Sequence, residues 1–451
     1  MAATDLQQAK TTSQITGPLG DFVEFKNGRS SPDRTDFGAF SVYGSNGEIG
    51  KADVTNAPEG TVVVGRVGSY CGSVHYSPDK CWVTDNAIIG SSRSQNDSRF
   101  WFYKLESLDL NNYRAGSGQP LLNQQILNSI QVSIPASEDD RFQIAKVLAA
   151  FDDKIGQNRR INQTLEAMAQ AIFQSWFVDF DPVKAKIAAK ASRRDPLRAA
   201  MSAICGKADA ELDALPPEQY EQLAATAALF PGEMEASELG EIPKGWSHKA
   251  LLQLTDKIGS GSTPRGGKEV YLEEGVALIR SQNVYDSLFA WDGLARISDE
   301  AAAQLKGVTV QGEDVLLNIT GASILRTCVV EPDVLPARVN QHVAIIRAKA
   351  GVPPRFIHMH LLRPDIKNYL LGLNAGASRE AITKAHIESL VLLTPGPELL
   401  SAFQTAISPL FRQVHCLTRQ MRALGELRDT LLPKLLSGEL LVADAIAEAV
   451  A

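Results

Sequence analysis

Apolar residues recur at alternating steps of four and three along two stretches of this chain. In the first, Ile144, Leu148, Phe151, Ile155, Asn158, Asn162, Leu165, Ala169, Ile172 and Trp176 keep the rhythm. In the second, Phe403, Ile407, Leu410, Val414, Leu417, Met421, Leu424 and Leu431 keep it at an offset of 259. Sustained four-three spacing predicts a coiled-coil seam, and two such helices in one chain can pair with each other. A helix over 138–178 extends roughly 60 Å at 1.5 Å per residue and so protrudes from its domain. Packed antiparallel, the pair would make a rod with a globular domain at each end. Asn158 and Asn162 place polar groups in the seam, where they fix register and partner at some cost in stability. Pro409, after Ser408, predicts a break or a short lead-in helix.

The segments before these helices also repeat. VVVGRVGS (Val62–Ser69) matches VLLNITGA (Val315–Ala322), both short apolar strands running into a glycine turn. The turn sequences SPDK (Ser77–Lys80) and EPDV (Glu331–Val334) follow. VTDNAIIG (Val83–Gly90) matches ARVNQHVAIIR (Ala337–Arg347), again strand-like. GSGQPLLNQQILNSIQVSIP (Gly116–Pro135) then matches GASREAITKAHIESLVLLTP (Gly376–Pro395) as turn, short helix and strand, at an offset of 260. A tandem repeat with one long helix per copy predicts pseudo-twofold symmetry.

Between the copies, residues 182–194 hold five basic residues and no acidic ones, and 207–241 are Ala/Glu/Pro-rich and acidic. This reads as a partly helical, flexible linker. At 451 residues, with 44% hydrophobic and 22% charged, the chain has material for two to three folded domains. The formal net charge of −7 argues against a uniformly basic DNA-coating protein and leaves local basic clusters open. Cys71, Cys81, Cys205, Cys328 and Cys416 are odd in number and irregularly spaced, so reduced thiols are expected. The polar N-terminus is not a signal peptide, no 18-residue apolar run is present, and a cytoplasmic location away from membranes is expected.

Several motifs resemble one family. FDDKIGQNRRINQTLEAMAQAIFQSWFVDFDP (Phe151–Pro182) and LRDTLLPKLLSGEL (Leu427–Leu440) are similar to the conserved central and C-terminal helices of type I restriction-modification specificity subunits. GEIPKGW (Gly240–Trp246) resembles the opening of that family's second recognition domain. VYGSNGEIG, VVGRVGSYCGSVHY and TDNAII resemble one recognition-domain type; GSGSTPRGG, LIRSQNV, LLNITGAS and NQHVAIIR resemble another. The resemblance covers nearly the whole chain. It implies two tandem α/β target-recognition domains, each followed by a long conserved helix, with the two helices forming an antiparallel coiled-coil spacer. The expected order is an arm or disordered segment (1–15), recognition domain 1 (16–136), the central helix (137–181) and the linker (182–241). Recognition domain 2 (242–396), the C-terminal helix (397–440) and a tail (441–451) complete it. The implied partners are double-stranded DNA, two methyltransferase (modification) subunits and restriction/translocase subunits. A split, asymmetric target is implied, with the rod setting the gap. S-adenosylmethionine, ATP and magnesium would sit on the partners, with no cofactor and no catalytic site here. Two alternatives stay open: the recognition subunit of a system with fused nuclease-methyltransferase subunits, and a coiled-coil scaffold that binds no DNA.

The residues themselves agree with a reader that lacks a catalyst. No [N/D]-P-P-aromatic motif and no G-x-G-x-x-G after a strand occurs. GSTPRGGK (261–268) fails the P-loop frame, with Ser262 in place of the first glycine and Glu269 in place of Ser or Thr. His358 and His360, two apart on a helix, diverge and make a poor metal pair. Asp152 and Asp153 read as a solvated helix face. Candidate DNA contacts cluster at glycine-rich turns: Arg29, Arg34, Tyr43, Ser45, Asn46, Arg66, Ser69 and Tyr70 in the first copy. The second has Arg265, Lys268, Arg280, Gln282, Asn283, Asn318, Thr320, Ser323 and Arg326. Glycine lets backbone approach phosphate; Arg reads guanine, and Asn or Gln reads adenine, through paired hydrogen bonds. Asn318, Thr320, Asn340 and Gln341 match the family pattern, which favours scaffold or phosphate roles. Base readers are expected where the chain departs from it, within 29–43 and 284–296.

Overall fold

The computed structural model describes residues 13–94, 96–114, 121–238, 240–265, 267–373 and 381–444, without the side chains of 267 and 268. Most of the expected N-terminal arm and C-terminal tail lies outside these residues, as do the glycine turns that open the 116–135 and 376–395 repeats. The chain packs as two compact units, residues 1–161 with 417–451, and residues 162–416.

In the first unit, an apolar run buried on both faces, Thr61–Gly65, forms an inner strand. Around it stands an antiparallel sheet in the order Val23–Asn27, Ala87–Ser92, Thr61–Gly65, Val74–Ser77. A second sheet, Gly47–Ala52, Phe40–Gly44, Trp82–Val83, ends on a parallel pair. Gln14–Pro18 pairs with Gln131–Pro135 and closes the fold. Helix Ser98–Glu106 buries Phe100, Trp101, Tyr103 and Leu105 in the same core as Val62, Val64 and Ile88. Asp97 and Arg141 form a buried ion pair at 2.6 Å; Arg141 also donates to the Pro135 carbonyl at 2.8 Å. This pair ties the start of the first long helix to the sheet domain.

The second unit repeats the order of the main sheet and enlarges the second sheet to four strands. Its sheet runs Thr255–Ser260, Val343–Ala348, Val315–Asn318, Thr327–Val329, all antiparallel. Its second sheet ends on the parallel pair Val276–Ile279 and Ala337–Val339, and Ser247–Ala250 with Val391–Thr394 closes the fold. The isolated bridges Val67–Leu121 and Thr320–Ala381 fall at equivalent places.

The long helices span Glu138–Phe177 and Pro397–Ser437, 40 and 41 residues. Glu138, Asp139 and Asp140 place negative charge at the N-terminus of the first. Gly438, at φ 74°, ends the second. In the first unit, residues of the two helices meet in antiparallel order. Asn158 donates to Gln420 Oε1 at 2.8 Å, and Asp152 pairs with Arg428 at 2.6 Å. Asp152 also accepts the Tyr103 hydroxyl, so it is not on a solvated face; Asp153 pairs with Arg99 at 2.9 Å. Leu148, Phe151 and Leu431 are buried in this seam; Ile155, Met421 and Leu424 are half-buried, and Leu417 is buried. In the second unit, Asn162 donates to the Val414 carbonyl at 3.4 Å. There Leu165, Ile172, Leu410 and Val414 are half-buried. Phe173 and Phe177, off the four-three rhythm, join Trp176, Phe356 and Phe403 in an aromatic cluster. An ideal helix drifts against a 3.5-residue repeat, and the extra faces are covered here by Phe230 and Trp246.

Two expectations are corrected. Pro409 does not break its helix. The missing N–H and ring clash cost about 3 kcal/mol. Fully buried Phe403 and Ile407 contribute roughly 1.5–3 kcal/mol each from the preceding turns. The segment expected as a flexible linker is a packed helical piece. Helices Asp181–Ala191, Pro196–Cys205, Asp209–Leu212 and Pro217–Ala228 include a small core of Ala200, Met201, Leu212 and Ala227. Its acidic residues are partly internal partners: Arg198 binds Asp209 and Asp213, each at 2.8 Å.

His358 and His360 are core residues, buried at 1% and 2% exposure. His360 stands edge-on to Phe173 and Phe356, at 4.8 and 4.7 Å. Burial pushes both rings from 6.5 down to about 3. The unfolded chain therefore binds protons below about pH 6.5 that the folded chain refuses until about pH 3, so stability falls as pH drops through that window. His360→Met should shallow this loss, seen as a smaller shift in urea midpoint between pH 7.5 and pH 5. An unchanged slope would show that His360 does not carry the proton linkage.

Candidate nucleic-acid interface

Antiparallel order places alternate strand ends together. In the first unit, the C-terminal ends of Val23–Asn27 and Thr61–Gly65 stand beside the N-terminal ends of Ala87–Ser92 and Val74–Ser77. The turns 28–29, 66–73 and 84–86 therefore gather at one end of the sheet. Arg29 bridges to Thr84, with its N–H donating to the Val83 carbonyl at 3.0 Å. The approach is close enough to require glycine at position 28, because a Cβ there would lie 2.0 Å from the Thr84 carbonyl oxygen. Gly65 is enclosed by Tyr70, Ser73 and Ser45, and the Ser73 hydroxyl donates to the Ser45 carbonyl.

Ser45, Arg66, Ser69 and Tyr70 are thus brought together, with Arg29 at the same sheet end. Asn46, Ser69 and Tyr70 are exposed, and Arg66 is half-buried. Arg34 lies along Gly50 and donates to the Ile49 carbonyl at 3.1 Å, on the neighbouring hairpin. Tyr43 is half-buried against a small core, and burial pushes its phenol above the ordinary value. It belongs to the scaffold side of the site.

The second unit gathers 261–265, 280–283, 319–326 and 340–342 in the same way. Asn283 and Asn318 are fully buried and do not face solvent. Asn283 donates to the carbonyls of Ala290 at 2.9 Å and Asp292 at 3.3 Å; Asn318 donates to those of Ser281 at 2.9 Å and Val284 at 3.2 Å, and to Ser323 Oγ at 3.1 Å. Both amides hold the turns that other side chains project from; Asn318 is one of the residues whose match to the family pattern favours such a role. Gln282 is exposed and donates to the Gly293 carbonyl at 3.2 Å; Arg280 donates to the same oxygen at 2.6 Å. Arg265 is exposed, and the Lys268 side chain lies outside the described residues.

The Thr320 hydroxyl lies 2.6 Å from His342 Nδ1, whose other ring nitrogen is 3.0 Å from Gln341 Nε2. Thr263 donates to Gln341 Oε1 at 2.8 Å. His342 and Thr263 were not among the sequence candidates; each adjoins a motif that was. The Arg326 guanidinium sits over the Tyr285 ring, 4.5 Å from its centre. Tyr285 falls within 284–296, the window singled out by its departure from the family pattern. Among the described residues, no group of His, Cys, Asp and Glu is arranged to hold a metal, and no helix is long and apolar enough to cross a membrane.

Residues 15–167 match the family model described as the type I restriction modification DNA specificity domain. The HindI specificity subunit of Haemophilus influenzae is 31% identical over 338 residues, covering 71% of each chain. The MjaIX specificity subunit of Methanocaldococcus jannaschii is 23% identical over 360 residues, 79% of this chain and 71% of that one. The crystal structure of a type I restriction-modification S subunit from M. genitalium shares the fold at a TM-score of 0.56 and 12% identity, covering 96% of this chain and 98% of that one. With this duplicated architecture and a relative of that identity and coverage, the chain belongs to the family of type I restriction enzyme specificity subunits.

Proposed function

We propose that this chain is the non-catalytic DNA reader of a type I restriction-modification enzyme. Each unit reads one half of a split, asymmetric target with the turn end of its sheets, and the two long helices set the gap. Two methyltransferase subunits and restriction subunits assemble on it and bring S-adenosylmethionine, ATP and magnesium.

One observation carries the reading: the same strand order occurs twice, and each copy gathers glycine-bearing turns with different side chains at the same end. Rigid sheets with variable, Arg-bearing ends suit sequence-dependent contact. Bidentate Arg contacts to guanine discriminate by about 1–3 kcal/mol each. The acidic net charge of −7 fits a protein that contacts DNA locally and leaves other surface for subunits.

Methylation mapping of host DNA with and without the gene gives the target and gap together. Exchanging the turn residues of one unit should alter only one half of the target. Adding seven residues between Ile155 and Trp176 should change the gap and leave both halves intact. If neither change shifts the methylation pattern, the gap-setting role is wrong. As a contrast, Asn318→Ala should lower stability by about 1–3 kcal/mol, because it strands buried carbonyls, and should leave the target unchanged. Urea melts read the first effect and mapping reads the second.

A further inference from the structure

The two copies align residue by residue around the inner turn, at a constant offset of 253. Gly65 N–H donates to the Ser73 carbonyl at 2.8 Å, and Asn318 N–H donates to the Arg326 carbonyl at 2.8 Å. Gly72 N–H donates back to Gly65, and Leu325 N–H donates back to Asn318, both at 2.8 Å. Gly68 and Gly321 have matching φ of 75° and 78°. The turn is one backbone built twice.

The tips differ sharply. Where the first copy has Gly72 at φ 90°, the second holds Leu325 at φ 64°, a left-handed conformation that costs a non-glycine residue roughly 1–2 kcal/mol. Leu325 is buried at 2% exposure, which anchors the strained residue. The next residue is Ser73 in the first copy and Arg326 in the second. Ser73 turns inward to the Ser45 carbonyl, whereas Arg326 lies over Tyr285.

Tyr285 is itself held in place. It belongs to the hairpin Val284–Tyr285 with Leu288–Phe289, whose flanks Val284 and Phe289 are buried. Ser287 turns that hairpin at φ 59°, and its N–H donates to the Thr327 carbonyl at 2.9 Å. Asp286 accepts from Thr327 N–H at 3.2 Å and from Lys367 at 2.6 Å. The Asn318 amide ties the Val284 carbonyl to the turn that carries Arg326. Two strained backbone positions and a buried amide thus fix an exposed phenol ring and a guanidinium in one stack at the sheet end. Strain of this kind persists where surrounding structure over-determines it, and it concentrates at functional sites.

We infer that Arg326, stacked on Tyr285, is the guanine-reading residue of the second unit. A guanidinium held over a ring in this way can still present its N–H groups to O6 and N7 of one guanine, and it loses less freedom on binding than an untethered one. Ser73, at the same place in the first copy, cannot make that contact, so the two units read different half-sites with one backbone. This inference rests on the DNA-reading proposal above.

The test uses the full chain assembled with its methyltransferase subunits. A randomised duplex library first gives the target, and a panel then replaces each base pair in turn. Arg326→Lys keeps the charge and loses the paired geometry. It should reduce discrimination at one G·C pair, in one half-site only, by about 5- to 150-fold. Tyr285→Leu should weaken discrimination at that same pair, and Tyr285→Phe should preserve it. Thermal melts confirm that each variant is folded. Weakening spread evenly over all sequences would make Arg326 a phosphate contact and overturn the inference. Unchanged discrimination at every pair would overturn it as well, while the DNA-reading proposal stands. A wild-type complex with no sequence preference would overturn both.

Discussion

A forty-residue helix with an apolar stripe has nowhere to bury the whole of that stripe on sheets at most four strands wide. This constraint shapes the rest of the protein. Each long helix supplies the other's missing face, so the chain must make the helix twice and fold back. Asn158 with Gln420, Asp152 with Arg428 and Asn162 with Val414 give the antiparallel order in each unit. Apolar contact alone would tolerate sliding. Buried amides do not, because a shifted register would leave them facing leucine and phenylalanine.

The helices are coupled to the sheets through short connections and buried polar ties. In the first unit, Arg141 on the opening turn of the helix is clamped by Asp97 and by the carbonyl of Pro135. The sheet cannot swivel on its helix without breaking an ion pair that is nearly solvent-free. Breaking such a pair by removing one partner generally costs about 3–5 kcal/mol. The turns at the far strand ends are therefore carried on a rigid mount.

The seam, the repeat and several of the strands were legible in the sequence because they are periodic. Phe173 and Phe177 escaped the heptad reading because they pack against Trp246 and Phe356, which lie far away in the chain. The 182–241 segment looked like a spacer because small alanine-rich helices carry weak periodicity; its core of Ala200, Met201, Leu212 and Ala227 shows only in three dimensions. The burial of Asn283 was not legible for a chemical reason. The same amide that can read adenine can also hold a turn, and residue type does not distinguish the two. The equivalence of Leu325 with Gly72 depends on φ, to which sequence comparison is blind when one partner is not glycine.

That equivalence bears on how such a protein changes over generations. The inner turn is closed in both copies by the same backbone hydrogen bonds, although the side chains that support it differ. The two copies thus carry different residues at the tip without a change in backbone path. The strained leucine shows how strongly that path is held: it persists even where the residue on it is not the one best suited to it.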